Sequence, residues 1–153
     1  EERYRIGHNL KEKKRFGGEL FCRSLADGTY SLPFVLYSEN IESMGNVSAL
    51  NACFERWCTL FVNGKNVIVK LRALTAPAGS DLYIKDLHYA ENGEFIRAER
   101  NGNVFSFPVS PFSFINLGTD GSSLLHGSLC LKIQYAGRNM GRREATVIFA
   151  MLI

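Results

Sequence analysis

The residues that most often carry chemistry are sparse in this chain. Four cysteines (Cys22, Cys53, Cys58, Cys130) and three histidines (His8, His88, His126) are scattered along it. A zinc site needs His or Cys ligands at short, repeated spacings, and no CxxC pair or closely spaced histidine pair occurs. A nucleophile elbow, Gly-x-Ser-x-Gly, is also missing. A cysteine-dependent hydrolase would have to be assembled in space from Cys130 or Cys53 with His88 and Asp86. His88 alternates with Ile84 and Asp86, which suits a hydrogen-bonded sheet residue better than a base. Glu91 and Glu94 flank an Asn-Gly turn, where carboxylates usually cap local amides. Gly17-Gly18 and Gly118-Thr119-Asp120-Gly121 lack the lysine and helix of a phosphate loop, and no calcium-loop spacing surrounds Asp120. The sequence therefore calls for no catalytic residue, no metal and no cofactor, and is read as that of a non-enzyme.

Charge and aromatic placement offer binding chemistry instead. The net charge is only +3, but it is unevenly distributed. Arg3, Arg5, Lys11, Lys13, Lys14 and Arg15 crowd the first sixteen residues, and Arg138, Arg142 and Arg143 surround a Gly-rich turn. Such clusters attract phosphates or acidic surfaces, or serve as solvated tips. Strict alternation would put Tyr83, Lys85 and Tyr89 on one strand face, a platform for bases or sugars. Phe105 and Phe107 lack lysines beside them. These basic and aromatic residues are the candidate binding set, for a polyanion, glycan or peptide partner.

These groups must be positioned by strands. In residues 53–74, Phe54, Cys58, Leu60 and Val62 share one face with Arg56 as the exception, Asn63-Gly64 interrupts, and Val67, Val69, Leu71 and Ala73 resume the alternation. An Asn-Gly pair accepts the positive φ values of a type I′ turn, so this predicts a hairpin. Leu82, Asn92-Gly93, Asn101-Gly102 and Phe107 outline a three-stranded meander with two Asn-Gly turns. Leu20 to Cys22 and Tyr30 to Tyr37 read as strands, the second weakened by Pro33. Leu129, Leu131, Ile133 and Tyr135 alternate with Lys132 and Gln134, and residues 145–153 are nearly all apolar. A strand apolar on both faces is buried on both, at a sandwich centre or a subunit interface. The one plausible helix lies over 41–52.

A chain of 153 residues with 46% hydrophobic content suffices for one core that removes ~70% of the unfolded surface from water. The four cysteines are expected to be buried, reduced thiols. Asn46-Val47-Ser48 matches a glycosylation acceptor, which matters only in a secreted protein. No apolar run reaches membrane-spanning length. The expected fold is all-β, an antiparallel, jelly-roll-like β-sandwich with at most one short helix: a basic arm over 1–18 and a single domain over 19–153.

Basic arm, sandwich strands and apolar final strand together look like small viral structural proteins, a resemblance of architecture with no shared motif. It implies a self-associating coat subunit or trimeric fibre head, a homo-oligomer in a virion or another reducing, intracellular setting. The alternative is a monomeric sandwich that recognises peptides or glycans, by its loops or a sheet edge.

Overall fold

The computed structural model describes residues 15–38, 47–75, 81–116 and 125–152. Eleven strands are described: β1 (Arg15–Gly17), β2 (Gly28–Tyr37), β3 (Trp57–Asn63), β4 (Asn66–Arg72), β5 (Leu82–Glu91), β6 (Glu94–Arg97), β7 (Glu99–Asn101), β8 (Val104–Pro108), β9 (Ser113–Asn116), β10 (Leu125–Gly137) and β11 (Met140–Leu152). All pairings are antiparallel, and together they form a β-sandwich. One sheet holds β2, β3, β4, β8 and β7; the other holds β1, β9, β10, β11, β5 and β6 with the end of β2.

β2 belongs to both sheets, because 28–33 pair with β3 and 34–37 pair with β11. Pro33, expected to weaken the strand, sits where it changes partner. A residue with no N–H is best tolerated at such a junction. The expected meander crosses between sheets in the same way. β6 pairs with β5, β7 pairs with β8, and between them buried Ala98 donates its N–H to Leu87 at 2.9 Å. Two hairpins therefore lie in opposite layers.

The Asn-Gly signals are correct in place and differ in detail. Asn92 (φ 53°) and Gly93 (φ 80°) are both left-handed, as a type I′ turn requires. After β3 the turn is centred on Gly64-Lys65, with Asn63 opposite Asn66 and positive φ at Gly64 alone. That is the type II′ pattern rather than the expected type I′.

Leu20 and Cys22 are not in a strand. Gly18–Arg23 forms a short helix, α1, which buries Phe21 and Cys22. Of the expected helix over 41–52, the part up to 46 lies outside the described residues; Ala49–Cys53 is a 3-10 turn capped by the Ser48 hydroxyl, which accepts from Leu50 N–H at 3.1 Å. Beside it the Asn51 amide binds both backbone groups of Leu36, accepting at 2.9 Å and donating at 2.8 Å. Its side chain thus does for β2 what a neighbouring strand would.

An aromatic cluster joins the sheets: Phe149 of β11 meets Phe34, Phe107 and Phe112 at ring distances of 5.1, 5.6 and 5.8 Å. The apolar final strand is covered within the chain. β10 runs along one edge of β11, and β2 pairs with 148–151 on the other. The requirement for a second copy to bury it lapses. β1 pairs with β9, and α1 starts at Gly18. No described helix is long and apolar enough to cross a membrane.

A cleft lined by Tyr83, Lys85 and Arg100

The residues proposed for chemistry separate in space. Arg3, Arg5, Lys11, Lys13 and Lys14 lie outside the described residues, as do Asn46 and residues 118–121. Arg15 opens β1 on the surface. Arg138, Arg142 and Arg143 sit at the tip of the β10–β11 hairpin, exposed. The platform of Tyr83, Lys85 and Tyr89 is divided by a bulge. Gln134 lies opposite Asp86 and Tyr135 opposite Ile84, so Lys85 has no opposite residue in β10. One inserted residue reverses the facing of everything beyond it. Tyr89 therefore turns inward and stacks on buried Phe107 at 6.1 Å. Phe105 and Phe107 are themselves buried, and no base can reach them.

Tyr83 and Lys85 stay outside, and the structure gives them a partner that alternation could not show. Lys85 Nζ lies 5.4 Å from the centre of the Tyr83 ring. Arg100, on β7 of the opposite sheet, donates through Nη1 to the Lys85 carbonyl at 2.6 Å and through Nε to the Gly102 carbonyl at 2.9 Å. The bulge leaves the Lys85 carbonyl to this contact, and the left-handed Gly102 (φ 61°) makes the tight turn beside it. The guanidinium also lies over the Phe105 ring at 5.1 Å. Arg100 thus ties the two sheets together. Around it, Ala73, Leu74, Thr75, Ile84 and Asn103 complete a cleft of about 320 Å³. A fixed cation, a mobile cation and a 40% exposed tyrosine ring converge there. Such a set has the chemistry to hold a carboxylate on a flat ligand.

A second hollow, about 420 Å³, opens where neither β9 nor β5 pairs with β10. It is lined by Glu19, Glu91, Ser113, Ser128 and Cys130 among others. Burial raises the Cys130 thiol pKa, while Lys132 lowers it in part. No hydrogen bond reaches this thiol among the described residues, and His88 is engaged elsewhere, 3.1 Å from Gln134 Oε1. Gln134 in turn donates to Glu144 at 2.6 Å, and Asp86 pairs with Arg97 at 2.8 Å. The Cys130–His88–Asp86 assembly is therefore not made. Cys53 donates only to the Leu82 carbonyl, at 3.7 Å.

All four cysteines are free thiols; Cys22, Cys53 and Cys58 are buried. Burial, with Glu19 nearby, pushes Cys22 up to about 11, and burial pushes Cys58 up to about 12. Iodoacetamide on the native protein should modify Cys130 first and slowly, with the other three reacting only after unfolding. Peptide mass spectrometry reads that order, and rapid labelling of Cys53 or Cys58 would contradict the packing described.

No family model matches the sequence, and no curated protein is significantly similar to it. Solved structures share its fold. The NEAT5 domain of IsdX2, a B. anthracis hemophore, in complex with heme is 15% identical, with a TM-score of 0.52 over 82% of this chain and 96% of that one. A mutant of the same NEAT5 domain, also with heme, gives a TM-score of 0.53 at 15% identity, over 83% and 96%. These likenesses overturn the viral reading, both coat subunit and fibre head, and with it the virion or intracellular setting. In fold, the chain is similar to heme-binding domains of a bacterial hemophore.

Proposed function

We propose that this chain is a non-enzymatic binding module whose Tyr83–Lys85–Arg100 cleft takes a flat, carboxylate-bearing small ligand. The observation that carries the reading is Arg100, its guanidinium anchored by two backbone carbonyls beside an exposed tyrosine and a lysine. An anchored cation loses little freedom when a ligand carboxylate arrives, so its contact is retained as affinity. The surrounding cleft falls within the volume range of small-molecule sites. One copy suffices, because the apolar face of β11 is already covered.

Tetrapyrroles belong to this ligand class and are bound by the structural neighbours. Heme carries acidic side chains that Lys85 and Arg100 would hold, and a tyrosine oxygen is among the accepted axial ligands of heme iron. Tyr83 is the tyrosine that lines the cleft. The larger hollow does not fit the group. It offers two carboxylates that would repel the acidic side chains, and as iron ligand only a thiol held protonated by burial.

The test is absorbance titration with hemin and with iron-free protoporphyrin IX. Both should bind. Arg100→Gln and Lys85→Gln should each weaken binding about 10- to 100-fold, the loss of one charge-assisted hydrogen bond. Tyr83→Phe should weaken hemin and spare protoporphyrin. Affinities unchanged in both charge variants would remove the cleft from the account, and failure of both porphyrins to bind would remove the tetrapyrroles.

A further inference from the structure

The β10–β11 hairpin extends beyond its pairing with β2, and among the described residues one of its sides is uncovered there. β10 covers one edge of β11 along its length, but on the other edge β2 covers only 148–151. Among the described residues, no strand pairs with the outer edge of 140–147. Met140, Arg142, Arg143, Glu144 and Thr146 are exposed there. A bare edge presents unpaired N–H and C=O groups and is a template for another strand. Charge on the edge normally discourages this, unless the incoming strand carries the opposite charge.

The charge on this edge is lopsided. Arg138 occupies the turn, and Arg142 and Arg143 follow one another near the start of β11, beside a register shift opposite 135–137 of β10. Among the described residues none of the three guanidinium groups makes a hydrogen bond or ion pair. The single carboxylate among them, Glu144, already accepts from Gln134. An added strand would therefore meet unpaired guanidinium groups near its end at the hairpin tip.

We infer that the outer edge of 140–147 is a docking site for an acidic peptide that adds as an extended strand, its carboxylates meeting Arg142 and Arg143. Backbone pairing supplies affinity and the arginines set which peptides dock. A strand along this edge would extend the sheet that holds β10 and β11, away from the cleft at Arg100.

Fluorescence anisotropy with a labelled peptide of alternating glutamate and valine tests this on the whole chain. Saturable binding is expected, weakened roughly tenfold by the double variant R142E/R143E. Both sites are exposed, and an unchanged Tm shows that the variant is folded. The same peptide N-methylated at alternate residues keeps its charge but cannot pair, and should not bind. Amide exchange across 140–147 should slow when the unmodified peptide is present. Lys85→Gln and Arg100→Gln should leave the affinity unchanged. Equal binding of the N-methylated peptide, or of a DNA oligonucleotide, would make the edge a general polyanion surface and overturn the inference. So would light scattering showing that a second copy of the chain already occupies it.

Discussion

Replacing Phe149 with alanine should remove about 3–5 kcal/mol of folding free energy. The ring is fully buried and belongs to β11, yet it touches aromatic rings from three other parts of the chain. It stacks on Phe34 of β2 and meets Phe107 of β8 and Phe112 edge-on. Removing it deletes the transfer energy of the ring and leaves a void walled by rigid side chains, which cannot close over it. Aromatic pairs add roughly 0.5–1.5 kcal/mol each beyond burial. A typical domain has only about 5–15 kcal/mol in total, so the variant should lie near the limit of folding. Urea denaturation measures the loss. Phe95→Ala, at a ring 37% exposed, is the control and should change stability far less. A loss below about 1 kcal/mol at Phe149 would contradict an aromatic bridge between the sheets.

The second large effect is expected from a single methyl group. A Cβ on Gly18 would lie 2.1 Å from the carbonyl oxygen of Val109 and 2.7 Å from that of Ser110. Both obstacles are backbone, and the Gly18 N–H already donates to the Phe112 carbonyl at 2.8 Å. Gly18→Ala must therefore push α1 off the corner between β8 and β9, carrying Phe21 away from Phe114, on which it stacks at 4.2 Å. Overpacking of this kind costs about 1–3 kcal/mol, occasionally more, and a backbone obstacle places it at the upper end. The melting temperature should fall by roughly 6–12 °C in a domain of this size. Gly141→Ala, where nothing lies within 4 Å, should move it by no more than about 2 °C. Equal effects at the two positions would mean that α1 is free to shift.

Much of this fold could be read from the chain because its strands face two different media. From Cys58 to Val62, from Val67 to Leu71 and again from Leu129 to Ile133, buried residues alternate with more exposed ones as expected. What escaped were the places where the alternation breaks. Six residues of helix hold fewer than two turns, so adjacent Phe21 and Cys22 look the same in a helix as in a strand. The crossing at Ala98 hides within a run that looks continuous, since small residues fit either sheet. The bulge at Lys85 is likewise invisible, although buried Asp86 beside buried Leu87 is its trace: two neighbours in one strand cannot both point inward. For the candidate site the consequence is mixed. Tyr83 and Lys85 precede the slip and were identified; Tyr89 follows it and was misplaced. Arg100 was not singled out, because its contacts come from a strand in the other sheet and from a turn carbonyl.

β11 also ties the order of synthesis to the order of folding. Its residues 148–151 are the neighbours that 34–37 of β2 require, more than a hundred positions earlier in the chain. Until they are made, one sheet stays open beside Phe34 and Leu36. Contacts this distant slow folding, and an apolar strand left waiting for its partner invites pairing with other chains. Nascent chains of this protein should therefore depend on holding chaperones until β11 has emerged.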